Sequence, residues 1–159
     1  MRITEKDKEY MREAIRLADE SVKNGGGPFG AVIVKDGEIV AGSANSVTID
    51  NDPTAHAEVN TIRQACRKLG TFDLSDCVIY TSCEPCPMCL GAIYWAHITK
   101  IYYAGNRADA AKAGFDDDFI YREININPEK RSVPAFNFMP EEGAAVFKLW
   151  LDKEDRTNY

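Results

Sequence analysis

The sequence of 159 residues predicts an α/β fold, a three-layer sandwich with a sheet between helical layers. Three features point to it. Segments with apolar residues at helical spacing alternate along the chain with short apolar runs of strand length. The first two runs are joined by Asp36-Gly37, a two-residue hairpin signal. No repeat, low-complexity tract or linker divides the chain, so residues 1–159 read as one domain.

In chain order, residues 5–23 read as a helix, with Tyr10, Ala14, Leu17, Ala18 and Val22 on one face. Gly25-Gly26-Gly27-Pro28 ends it. Phe29 to Val34 is a strand, and Ile39 to Val47 returns beside it. Asp52-Pro53 opens the next helix, Asp as the cap and Pro at the first position. That helix runs to Leu69 and stops at Gly70. Cys77 to Thr81 is a buried strand, Pro85 starts a helix reaching Ala96, and Ile98 to Ala104 is another strand. A helix over 107–113, a strand near Phe136–Met139 and a final helix over 142–153 complete the reading.

Composition narrows the function. No apolar run reaches the roughly 20 residues of a membrane span. The charged start, Met1-Arg-Ile-Thr-Glu-Lys-Asp7, lacks a signal-peptide core, so the expected compartment is the cytoplasm. Five cysteines without a secretory signal argue against a disulfide framework. The formal net charge of −6 and the absence of a Lys/Arg-dense stretch favour a small uncharged substrate over a polynucleotide.

The chemistry lies in two fragments, His56-Ala-Glu58 and Pro85-Cys-Pro-Met-Cys89. His56, Cys86 and Cys89 are ligands of the kind zinc prefers, and three of them leave a fourth tetrahedral position for water. Glu58 stands next to that position as a proton carrier. Cys86 and Cys89 sit in the first turn of a helix, where backbone amides and the dipole favour thiolates. His56 and Glu58, two apart, diverge on a regular helix and converge only where a helix N-terminus points at the metal. Two helix N-termini, each following a strand, are therefore expected to meet at one zinc. A Cys-x-x-Cys alone also reads as a redox pair or half of a structural zinc site, which Cys83 would close as fourth ligand. Cys66 and Cys77 read as core residues, and His97 as a helix C-terminal group.

Thr54-Ala-His-Ala-Glu58, Tyr80-Thr-Ser-Cys-Glu-Pro-Cys-Pro-Met-Cys89 and Gly27-Pro-Phe-Gly-Ala-Val-Ile-Val-Lys35 resemble the cytidine deaminase superfamily of zinc-dependent deaminases. Asn51 to Glu58, Gly91-Ala-Ile-Tyr-Trp95, Gly114-Phe-Asp-Asp-Asp-Phe-Ile-Tyr121 and the terminal Tyr159 are similar to its bacterial-type guanine deaminases. The resemblance implies a central five-stranded mixed sheet and one Zn²⁺ per subunit. It implies a homodimer whose C-terminal segments can be exchanged, and hydrolysis of guanine to xanthine and ammonia. It also implies roles for individual residues. Asn45 would hydrogen-bond the purine, with His56 stacked near it. Phe29 and Trp95 would wall the pocket. Asp117 would read the purine edge and Tyr159 would close the site. Glu123 would be a second proton carrier. The same zinc motif serves tRNA wobble-adenosine deaminases and deaminases of guanosine or other amino-substituted rings. A basic C-terminal region is expected of the tRNA enzymes; here that region is acidic and aromatic.

Overall fold

The structure, a computed structural model, describes residues 3–159. The chain divides into two compact units, one ending at Asp117 and the other spanning Asp118–Tyr159.

The first unit begins with α1 (Glu5–Lys23), opened by a capping box in which Thr4 and Asp7 satisfy each other's backbone amides. Ala14, Ala18 and Ser21 form its buried side, while Val22, expected on that face, is exposed. The hairpin follows as β1 (Gly30–Lys35) and β2 (Glu38–Ala44). Asp36 and Gly37 both take positive φ, 50° and 80°, which is the turn that matches strand twist. The second strand stops at Ala44, short of the expected Val47, and Val47–Asp50 form a one-turn helix, α2.

The helix expected to open at Asp52-Pro53 starts later, as α3 (Ala57–Leu69), with His56 at its N-cap. Asp52 instead accepts hydrogen bonds from the backbone N and hydroxyl of Thr54, closing a local turn that delays the helix. Gly70, at φ 67°, ends it as expected. The strand β3 (Cys77–Cys83) leads into α4 (Pro87–Trp95), whose N-cap is Cys86 and whose first position is Pro87, two residues after the expected Pro85. Then come β4 (Lys100–Gly105) and α5 (Arg107–Lys112).

The strands form one sheet in the order β2-β1-β3-β4, with β3 and β4 parallel and the other pairs antiparallel. The mixed sheet and the three layers are as expected. Alternation within β1 and β3 builds the layers: Val32, Val34 and Tyr80 pack with Ala14 of α1, while Ile33 and Ile79 pack with Ala65 and Ile93 of α3 and α4. Gly30 permits the close approach of α1, since a Cβ there would lie 2.2 Å from the Ala14 carbonyl oxygen.

Among the described residues the sheet has four strands, where five were expected. The segment near Phe136–Met139 lies in the second unit and is irregular, bracketed by Pro134 and Pro140, each of which lacks a backbone donor. That unit contains α6 (Asp118–Ile124), a short 3-10 turn (Pro128–Lys130) and α7 (Pro140–Asp152). Its apolar side chains, among them Phe138, Phe147, Leu149 and Leu151, are exposed. Among the described residues, no helix is long and apolar enough to cross a membrane.

Candidate metal centre and deaminase site

The carboxyl ends of β2, β3 and β4 and the start of β1 lie at one edge of the sheet, because Gly30 pairs with Ala44, Ala31 with Thr81, and Cys83 with Gly105. Such an edge is the usual place for a site in an α/β sheet. Two helix N-termini meet there. The α4 helix follows β3 directly, as expected; α3 is separated from β2 by α2 and a turn, which corrects the expectation that each follows a strand.

His56 and Cys86, the two N-caps, and Cys89, in the first turn of α4, converge: their ligand atoms all lie within 4.8 Å of one another. Nδ1 of His56 is 3.6 Å from Sγ of Cys86 and 3.4 Å from Sγ of Cys89. Tetrahedral bonds of about 2.3 Å to sulfur and about 2.0 Å to nitrogen put such atoms about 3.5 Å apart. The spacing thus fits the edges of a zinc tetrahedron. The proton distribution fits too. Cys86 is drawn down to about 4, first by the hydrogen bond from Cys89 and then, against its burial, by His56. Cys89 is pushed up, because it retains the proton the two sulfurs share. A cation replaces that proton and lets both sulfurs ionise.

Glu58 lies one turn position into α3, beside the cluster, with Oε2 accepting from Sγ of Cys89 at 3.4 Å. It is only 7 % exposed. Burial raises its pKa above the usual carboxylate range. A buried carboxyl so tuned suits a group that must take a proton and give it back.

Asn45 follows β2 and is buried, its Oδ1 accepting from the Val47 amide at 3.2 Å. Its backbone N donates to the Phe29 carbonyl at 2.9 Å, so Phe29 and Asn45 are neighbours at the mouth of the hairpin. The Phe29 ring meets Phe115 edge-on, with centroids 4.9 Å apart. Asp117 accepts from Nε of Arg107 at 3.2 Å. Trp95 is the last residue of α4 and is exposed. Glu123 and Tyr159 belong to the second unit. There the Glu123 carboxylate accepts from the Ser132 amide and hydroxyl, both at 2.7 Å, and Tyr159 meets Trp150 edge-on.

Cys83 donates to the Asn106 carbonyl at 3.8 Å and is not among the three clustered ligands; burial lifts its thiol to about 11. Cys77 is core, as expected, and His97 lies by Asp73 at 3.7 Å. Sequence reasoning missed three supporting residues. Thr61 bonds the carbonyls of Ala57 and Ala31, tying the first turn of α3 to β1. Asn60 bonds the loop around Asn45, and Arg107 holds Asp117. A polar residue on an amphipathic helix gives no sequence signal of which distant backbone it meets.

Comparison with known proteins gives a consistent result. The profile of the cytidine and deoxycytidylate deaminase zinc-binding region matches residues 4–105. The chain is 53% identical over 151 residues to guanine deaminase of Bacillus subtilis (strain 168), covering 94% of this chain and 97% of that one. The X-ray structure of guanine deaminase from Bacillus subtilis superposes with a TM-score of 0.92 at 52% identity, over 96% of this chain and 98% of the other. A tRNA-specific adenosine deaminase of Aquifex aeolicus is 44% identical over 98 residues, which is 61% of this chain and 65% of that protein.

Proposed function

The chain belongs to the cytidine and deoxycytidylate deaminase zinc-binding family, and from that premise we propose that it hydrolyses guanine to xanthine and ammonia. The similarity to Bacillus subtilis guanine deaminase, which runs through both units, carries this choice of substrate.

His56, Cys86 and Cys89 would hold the zinc, which would supply an acidic water near neutral pH. Glu58 takes a proton from the attacking water and passes it to ring N3 of guanine as the water oxygen bonds to C2. Glu58 then takes the proton of the new C2 hydroxyl and gives it to the amino group; C2=O forms as the C2–N bond breaks, leaving xanthine and ammonia. One water is consumed, and the carboxylate ends as it began.

Asn45 donates to the purine, Phe29 and Trp95 wall it, and Asp117 reads its edge. The burial of Asn45 and the Arg107 bond to Asp117 support pre-set polar groups. Glu123 is assigned as a second proton carrier and Tyr159 as the lid. The protein works as a cytoplasmic homodimer whose C-terminal units are exchanged; the exposed Phe138, Phe147, Leu149 and Leu151 of that unit support a partner covering them.

The test is ammonia release across guanine, guanosine, adenine, cytosine and cytidine. Guanine should be turned over best. A tRNA wobble-adenosine activity is the alternative, since the tRNA-specific relative is 44% identical over 98 residues. Inosine formation in a tRNA anticodon, without turnover of guanine, would establish that alternative.

A further inference from the structure

Asn60 occupies the fourth position of α3, one turn beyond His56, and its backbone N donates to the His56 carbonyl at 2.9 Å. Three oxygens surround its side-chain amide nitrogen: the Ala44 carbonyl at 3.1 Å, the Ser46 hydroxyl at 3.0 Å and the Ala55 carbonyl at 3.3 Å. Two of the three are carbonyls, which only accept, so the amide orientation is fixed by its surroundings. The two N–H groups are shared among three acceptors. The Ala55 carbonyl also accepts from the Ser46 amide at 2.9 Å. Ala44 and Ser46 flank Asn45, and Ala55 precedes His56.

We propose that Asn60 is a positioning residue: its clamp on Ala44, Ser46 and Ala55 fixes the Asn45 carboxamide relative to the start of α3, where His56 and Glu58 stand. The inference rests on the role given above to Asn45 in holding the purine. The reason for such a clamp is geometric. Asn45 follows the last strand residue of β2, whereas His56 caps α3, and ten residues of turns and one-turn helix join them. That connection is largely exposed from Thr48 to Thr54, so it does not set the distance by packing. A side chain reaching from the helix to both sides of Asn45 does. A ring held by Asn45 is then presented at a set place before Glu58.

Asn60 does not touch substrate in this scheme, so its removal acts through Asn45. A double-mutant cycle reads this directly. In zinc-loaded dimeric or monomeric enzyme as purified, Asn60→Ala should raise KM about tenfold, with kcat lowered less, because a displaced Asn45 weakens holding before chemistry. Zinc content should stay at about one per chain. In the Asn45→Ala background, Asn60→Ala should cost less than about twofold more, since the group it positions is gone. Equal factors in both backgrounds, an unchanged KM in the single variant, or loss of zinc from Asn60→Ala would each overturn the proposal. If Asn60→Ala gives no folded protein, Ser46→Ala removes one acceptor of the clamp and takes its place in the same cycle, with the same criteria. The cycle uses whichever base the wild type deaminates best. Failure of the guanine reading therefore appears in the wild-type substrate panel, whereas failure of the clamp appears only in the variants.

Discussion

Replacement of Glu58 by glutamine removes the carboxylate assigned to take the proton of the attacking water and changes little else. The side chain is 7 % exposed and fills a place beside Cys89, so an amide of equal size keeps the packing. It also ends the cost of burying a carboxylate, whose pKa is raised by burial. Folding should therefore not suffer. Activity should. An amide cannot accept the proton of the attacking water or return it to the leaving amino group. General acid–base catalysis by a positioned side chain contributes on the order of 10²–10⁴ in rate. At about 1.4 kcal/mol per decade, that is about 3–6 kcal/mol of transition-state stabilisation. The assay is steady-state ammonia release from guanine, with zinc measured by elemental analysis on the same sample. kcat should fall by that factor with zinc retained at about one per chain. A zinc-loaded Glu58→Gln enzyme with kcat within about threefold of wild type would refute the assigned role.

Cys86→Ala removes one corner of the tetrahedron, and elemental analysis after dialysis should find zinc far below one per chain; stoichiometric zinc would remove Cys86 from the ligand set. Asp7→Asn tests the capping box. Asp7 is held below the usual carboxylate range, first by the Thr4 hydroxyl, then by Tyr80 and the Thr4 amide, so its folded pKa lies below its unfolded one. Its contribution is present above the unfolded pKa and lost as pH falls through the folded one. After discounting for solvent, denaturation at pH 7 should show a loss of about 1 kcal/mol, and the difference should vanish in acid. Equal stability losses at both pH values would show that charge plays no part. Removing the last four residues, Arg156 to Tyr159, should lower kcat/KM for guanine strongly while leaving zinc content and Tm nearly unchanged. In mixed dimers of tail-less and Glu58→Gln subunits, exchange of the C-terminal units predicts partial recovery; a tail closing its own subunit's site predicts none.

The sequence alone determined the local elements and the donor set. Helical spacing over residues 5–23, the Asp36-Gly37 turn and the Gly70 stop each follow from interactions a few residues long, and each appears in the structure. The cluster of His56, Cys86 and Cys89 was legible for the same reason, because soft donors at short spacing have few other uses. Tertiary structure decided what depends on distant groups. Asp52-Pro53 carries a helix-start signal, but Asp52 bonds Thr54 and the helix begins only where His56 faces the two cysteines. Phe136–Met139 has the composition of a strand, yet a strand needs a neighbour with free backbone groups, and the flanking prolines withhold donors. Asn60 reads as an ordinary polar residue in a helix. Only the fold brings Ala44, Ser46 and Ala55 to its amide, because a side chain's partners across the chain are set by packing and leave no trace in local spacing.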